Sequence, residues 1–183
     1  MNKSTKNTVY LALSLDGYIA KKDGSVDWLH RPEYAVEGED MGYGALMKSI
    51  DALVMGSGTF KQVRSFEGGW PYGKTQVVVL SSKDQAIPAD LSATVQQMAG
   101  TPAEIQTKLH AAGMQHLYID GGKTVQDFLA AGLIDELILT TIPVILGEGI
   151  PFFGPVKDDI HLTHVKTEAY SSGLVQTHYL VQK

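Results

Sequence analysis

The chain of 183 residues contains no cysteine, no long hydrophobic run and no excess of basic residues. Without cysteine, disulfide bonds, thiolate metal sites and a cysteine nucleophile are excluded. No segment approaches the ~20 consecutive apolar residues of a membrane-spanning helix. The apolar run at residues 9–13 is too short for the core of a signal peptide with its cleavage site. We therefore expect a soluble, cytoplasmic protein with no membrane partner.

The balance of acidic and basic residues argues against a nucleic-acid-binding function. The chain has 20 Asp and Glu against 15 Lys and Arg, so its formal net charge is −5. A general nucleic-acid-binding protein usually carries a basic face, and we therefore expect no nucleic-acid partner. Hydrophobic residues make up 44% of the chain and charged residues 19%, which is typical of a globular protein. Because no linker, repeat or low-complexity tract divides the chain, we predict a single domain over residues 1–183.

Strand-like and helix-like segments alternate through most of the chain, and strands alone follow. Apolar runs predict strands at residues 8–14, 52–55, 76–80, 93–98 and 117–119. Helices are predicted at residues 40–50, from residue 57 onward, at 102–112 and at 123–131. The segments at residues 134–146, 162–170 and 175–181 are strand-like, and residues 15–39 are predicted to form a long loop. This order predicts an α/β fold with a mostly parallel central sheet and antiparallel C-terminal edge strands.

Two glycine-marked turns are the most informative feature, since each joins an apolar strand to a helix-like segment. The first is Gly56-Ser57-Gly58-Thr59 and the second is Gly121-Gly122-Lys123-Thr124. Glycine lets a backbone approach a ligand closely, and a helix N-terminus offers unpaired N–H groups to an anion. Either turn alone is also compatible with a tight connection that binds nothing. Together they predict a site that holds the two phosphates of a dinucleotide from opposite sides.

Three polar residues are candidates for the chemistry. Asp16 follows the first predicted strand, where ligands of open α/β sheets collect, although Asp-Gly is also a common turn pair. Asp40 is a candidate acid in the cleft and also a candidate helix N-cap. Thr140 interrupts an apolar strand, where its hydroxyl would face a ligand, although threonine suits strands in any case.

Further polar residues follow the third predicted strand. Ser81 and Ser82 would meet a phosphate there, with Lys83 adjacent, or they are ordinary strand-end residues. The six histidines show no spacing typical of a metal site, so we predict no bound metal.

In order and spacing, these segments resemble the dihydrofolate reductase superfamily over nearly the whole chain. The resemblance is carried by Asp40 and by residues 54–60, 78–82 and 119–129. It implies a three-layer α/β/α fold around the central sheet.

Finer features look closer to one subgroup, the reductase domain of the bifunctional riboflavin biosynthesis enzyme and its stand-alone bacterial relatives. These features lie at residues 14–20, 133–137 and 143–153. The deaminase domain of the bifunctional enzyme is not expected here, because the chain has no cysteine for its zinc site.

The resemblance implies a nicotinamide cofactor, usually NADPH, with NADH as the alternative. Its pyrophosphate would rest near the two glycine turns, and Ser81 and Ser82 match positions around the 2′-phosphate, where Lys83 would add positive charge. A basic residue common beside that phosphate in dihydrofolate reductases is replaced here by Ser57. The preference for NADPH is therefore left open.

On the substrate side, Asp40 lines up with the cleft acid of the family and Thr140 with its hydroxyl partner. The arginine that binds the glutamate tail of folate has no equivalent except Lys74, which lacks a planar fork for a carboxylate. The subgroup instead implies reduction of the ribosyl group of 5-amino-6-(5-phosphoribosylamino)uracil. Asp16 and Asp40 would contact substrate or deliver the proton, and a cation of the long loop would meet the substrate phosphate: Lys21, Lys22 or Arg31.

Two alternatives remain open, namely dihydrofolate reductase proper and a non-catalytic nucleotide-binding module on the same fold. The subgroup resemblance also implies a homodimer. The apolar segment at residues 150–153 is typical of a surface that a partner covers, although burial in the protein's own core is equally compatible.

Overall fold

An eight-stranded sheet organises the fold of the computed structural model, which describes residues 5–35 and 38–183. The strands are β1 (Lys6–Ser14), β2 (Tyr18–Ala20), β3 (Ala52–Gly56), β4 (Gln76–Leu80), β5 (Val95–Met98), β6 (His116–Asp120), β7 (Glu136–Ile142), β8 (Ile150–Pro151), β9 (Leu162–Ala169) and β10 (Val175–Val181). The helices are α1 (Tyr43–Ser49), α2 (Ser57–Arg64), α3 (Pro102–Ala111) and α4 (Gly122–Ala130). Three short 3₁₀ helices lie at Asp27–Leu29, Pro32–Tyr34 and Ala89–Leu91.

The strand order in the sheet is β5-β4-β3-β6-β1-β7-β10-β9. The first six strands are parallel to one another. β10 runs antiparallel to both β7 and β9. The predicted α/β fold with antiparallel C-terminal edge strands is therefore confirmed.

Helices cover both faces of the central strands. Since successive side chains of a strand point to opposite faces, these strands contribute to two separate hydrophobic clusters. On one face, Val9 and Leu13 pack in a cluster with Ile105 of α3 and Phe128 of α4. On the other face, residues such as Leu53 and Tyr118 pack with Leu46 of α1 and Phe60 of α2. These contacts make the three layers that were predicted.

Local chemistry explains three of the element boundaries. α3 begins with Pro102 at its first turn, and Thr101 and Glu104 form a reciprocal capping box. α1 begins at Tyr43 rather than at residue 40, because Gly42 has a φ of 83° and does not continue a helix. β7 ends at Ile142 rather than at residue 146, and the next residue is Pro143, which has no N–H for a sheet bond.

The predicted long loop at residues 15–39 contains structure that the sequence pattern missed. β2 pairs with β8 in a separate two-stranded sheet, which joins this loop to the segment after β7. Strands of two and three residues are too short to show a hydrophobic period. Among the described residues, no helix is long and apolar enough to cross a bilayer.

Candidate active site

The two glycine turns lie side by side, because β3 and β6 are neighbouring parallel strands and Met55 pairs with Asp120 at their ends. Each turn places a hydroxyl against the glycine of the other. The Thr124 Oγ1 atom lies 3.1 Å from the position that a Cβ on Gly56 would take, and a Cβ on Gly121 would collide with the Thr59 hydroxyl. The two turns therefore form one packed unit at the carboxyl edge of the sheet.

A cavity of about 360 Å³ opens beside this unit. It brings together most of the residues predicted to bind the cofactor: residues 56–58, Ser81, Ser82, Lys123 and Thr124. Thr59, Gly121 and Gly122 lie in the turns that border it, whereas Lys83 is exposed and does not line it.

The helix N-termini at this cavity are suited to an anion. α2 begins at Ser57 and α4 at Gly122, and no side chain of the described residues caps either N-terminus, in contrast to α3. Their first N–H groups are thus left for a ligand. A Cβ on Gly58 would meet no atom within 4 Å, so space for a ligand exists at the first turn of α2. The donor set therefore fits the pyrophosphate of a dinucleotide.

The two serines after β4 differ in their availability. The Ser81 hydroxyl donates to the Lys83 carbonyl at 2.7 Å and accepts from the Lys83 N–H and from Gln85 Nε2. It is therefore used to shape the turn. Ser82 is exposed at the cavity.

The substrate side would lie on the sheet face that α1 covers, where the side chains of Tyr10, Thr140 and Gln176 meet. Thr140 is buried, and its Oγ1 accepts from Gln176 Nε2 at 3.2 Å. Gln176 also donates to the carbonyl of Met41. The hydroxyl that was expected to pair with Asp40 is thus bound to another residue.

Asp40 itself is exposed and bonded to its own turn. Its two carboxylate oxygens accept from the N–H of Gly42 at 2.8 Å and of Gly44 at 2.9 Å. These two bonds, the Gly42 bond foremost, lower the pKa of Asp40. The carboxylate caps the start of α1, and the Asp40–Thr140 pair implied by the family resemblance does not form.

The Asp16 carboxylate also accepts hydrogen bonds from the protein itself. Its carboxylate accepts from Ser14 Oγ at 2.6 Å, from the Leu146 N–H at 3.1 Å and from the Gly147 N–H at 2.7 Å. The Ser14 bond is the largest cause of the lowered pKa of Asp16. The side chain therefore ties the end of β1 to the segment after β7, and an acid held ionised in this way is a poor proton donor.

Asp120, at the end of β6, is a candidate that the sequence pattern did not single out. Burial raises the pKa of Asp120 to about 6, and a 2.8 Å hydrogen bond from the Gly121 N–H opposes this shift. Strand alternation places it on the same face as Tyr118, next to a cluster that includes Tyr43 and Tyr72. The sequence does contain a signal for Asp120, namely a carboxylate at a strand end directly before two glycines. A similar pattern, a carboxylate after a strand and before a glycine, is the reason that Asp16 was predicted.

The three loop cations that were candidates for a substrate phosphate are each paired with a carboxylate. Lys21 Nζ lies 3.0 Å from Asp27, Lys22 Nζ lies 2.5 Å from Glu148, and Arg31 contacts Glu33. The structure therefore favours none of them as a free phosphate ligand. The described residues contain no group of three His, Cys, Asp or Glu that could hold a metal ion.

Comparisons with known proteins agree with this architecture. The chain is 34% identical over 177 residues to an uncharacterized protein of Bacillus subtilis, YwjB, covering 96% of this chain and 97% of that protein. A crystal structure of a putative riboflavin biosynthesis protein from Shewanella sp. PV-4 is 40% identical and superposes with a TM-score of 0.89, covering 97% of this chain and 99% of that chain.

More distant similarity extends to dihydrofolate reductase. The enzyme from Enterococcus faecalis, solved with NADP(H), is 18% identical and superposes with a TM-score of 0.63, covering 97% of this chain and 97% of that chain. At that identity the likeness shows the fold alone. Residues 6–176 match the family of the RibD C-terminal domain. The chain therefore belongs to the RibD C-terminal domain family, and its fold is similar to that of dihydrofolate reductase.

Proposed function

We propose that this protein is an NAD(P)H-dependent reductase that acts on 5-amino-6-(5-phosphoribosylamino)uracil or a related small molecule. The observation that supports this most directly is the cavity between the uncapped N-termini of α2 and α4. The family and the Shewanella relative, described as a putative riboflavin biosynthesis protein, support the same reaction class.

The residues at the cavity would divide the binding of the cofactor among them. The N–H groups that begin α2 and α4 would hold the pyrophosphate, and the hydroxyls of Ser57 and Thr124 would add hydrogen bonds. Leu80 and Met98 line the same cavity and offer an apolar wall to an adenine ring. The bound cofactor would supply the hydride, while the protein orients the reactants.

On the substrate side, reduction of a carbonyl-type carbon requires an acid that protonates the oxygen. Asp120 is our candidate for this acid, since its pKa of about 6 leaves part of the population protonated near neutral pH. Asp16 and Asp40 would instead shape the surrounding turns, because hydrogen bonds hold their carboxylates ionised.

Dihydrofolate reductase proper is disfavoured as the activity. The carboxylate of Asp40 caps α1 and does not pair with Thr140, whose hydroxyl is bound by Gln176. The sequence also lacks an arginine at the position that would bind the glutamate tail of folate.

The decisive experiment is NADPH and NADH oxidation by the purified chain, followed by absorbance, with the pyrimidine ribosyl phosphate and dihydrofolate as separate substrates. Turnover of the pyrimidine is the expected result. Calorimetric titration with each dinucleotide separates the alternatives. Binding without turnover of any substrate would favour the non-catalytic module, and absence of binding would refute the assignment of the cavity.

A further inference from the structure

The cofactor cavity is bordered by one ion pair. Lys123 and Asp127 lie one turn apart on α4, and the Lys123 Nζ contacts Asp127 Oδ1. Among the described residues that line the cavity, these are the only two with charged side chains. The lysine is more exposed than the aspartate, with 81% against 46% of the side chain accessible.

This pairing cancels the positive charge that a phosphate would need. A carboxylate accepts hydrogen bonds from ribose hydroxyl and adenine amino groups, but it repels a phosphate at short range. Lys123 can approach a phosphate only in competition with Asp127, and the carboxylate stays at the cavity in either case. The charge of the lining is thus close to neutral.

Within the described part of the chain, no other residue that lines the cavity supplies the missing positive charge. Ser57 and Ser82 are neutral, and the Ser81 hydroxyl is already bound within its own turn. Lys83 is exposed and lies outside the lining. A dinucleotide that carries an extra phosphate on its adenosine ribose therefore meets no unpaired cation among the described residues that line this cavity.

We propose that Asp127, held by Lys123, determines the cofactor specificity of this protein by accepting a free ribose hydroxyl and disfavouring a 2′-phosphate. The chain then binds NADH at least as tightly as NADPH. This inference rests on the proposed function, since it assumes that the cavity binds a nicotinamide dinucleotide.

The test is calorimetric titration with NAD⁺ and NADP⁺, which needs no substrate. For the wild-type chain we expect a Kd for NAD⁺ equal to or lower than that for NADP⁺. Asp127→Asn should free Lys123 and tighten NADP⁺ binding about tenfold, while the Kd for NAD⁺ rises, because the ribose hydroxyl loses its carboxylate acceptor. Adding Lys123→Gln to Asp127→Asn should abolish that gain.

Lys83→Gln is the matched control, and it should leave the ratio of the two Kd values unchanged. One result would overturn the inference while leaving the proposed function intact. In that case the wild-type chain binds NADP⁺ more tightly than NAD⁺, Lys83→Gln removes the difference, and Asp127→Asn does not change it. Failure of the folded wild-type chain to bind either dinucleotide would overturn both. Because exposed ion pairs of this kind contribute little to stability, we expect the variants to fold, and circular dichroism checks this.

Discussion

The hydroxyl of Thr59 lies so close to Gly121 that a Cβ atom on this glycine would collide with it. Gly121 also has a φ of 87°, a conformation that residues with a side chain rarely adopt. Both constraints come from the packing of the two turns against each other, and neither requires a ligand. Gly121 was predicted to let the backbone approach a phosphate closely. The packing of the two turns already requires a glycine at this position.

Gly121→Ala should therefore lower the free energy of unfolding even without cofactor, through the collision with Thr59 and through backbone strain. Thr59→Ala removes the hydroxyl, so the cost of Gly121→Ala should be smaller in that background. Chemical denaturation of the two single variants and the double variant measures this coupling. If Gly121→Ala lowers the free energy of unfolding equally with and without Thr59→Ala, backbone strain at Gly121 causes the loss, and the contact with Thr59 does not.

Asp120→Asn should lower turnover strongly and leave the Kd of the dinucleotide nearly unchanged, because asparagine cannot donate a carboxylic proton. In the wild-type chain the active form is the protonated acid, so kcat should fall as the pH rises through about 6. A pH–rate profile checks the assignment. A variant that keeps the wild-type rate and profile on the identified substrate would remove Asp120 as the proton donor.

The same pKa has a consequence for stability. The folded-state pKa of Asp120 is raised above its ordinary value of 3.8 to about 6, so the folded chain holds this proton more tightly than the unfolded chain. The stabilisation of the folded state by this proton is fully present below pH 3.8 and is lost as the pH rises through about 6. Asp120→Asn should therefore raise Tm more at pH 7 than at pH 4, and thermal unfolding at the two pH values measures the difference.

Asp40→Asn distinguishes capping from chemistry. Asparagine keeps one acceptor oxygen of the two that Gly42 and Gly44 use, so we expect a small loss of Tm. Turnover should stay within about twofold of the wild type, a barrier change of about 0.4 kcal/mol. Loss of turnover with an unchanged Kd for the dinucleotide would return Asp40 to the chemistry.

The homodimer stays a prediction. Phe152, in the segment that suggested it, is fully buried in the protein's own core, whereas Phe153 is 52% exposed. If a second copy covers Phe153, sedimentation should give the mass of two chains at micromolar concentration, and Phe153→Asp should shift it to one. Phe66→Asp, at an exposed phenylalanine outside that segment, is the control. A wild-type mass of one chain would refute the dimer.

Much of the fold was determined by the sequence alone, because its signals are local. An apolar run of strand length, a glycine at the strand end and a helix opening after it lie within a dozen neighbouring residues. These signals located β3 with α2 and β6 with α4, and the resemblance extended them to the whole sheet. The predicted cofactor residues come together for the same reason, since parallel neighbouring strands end at one edge.

The chemistry of the acids was decided only by the tertiary structure. Asp16, Asp40 and Asp120 look alike in the sequence, as carboxylates one or two residues before a glycine and near the ends of predicted elements. The Ser14 hydroxyl, with two backbone N–H groups, keeps Asp16 ionised, and backbone N–H groups keep Asp40 ionised. In contrast, burial beside tyrosines from other segments raises the pKa of Asp120. A pKa depends on desolvation and on hydrogen bonds from residues far apart in the chain, and only the packed structure specifies those contacts.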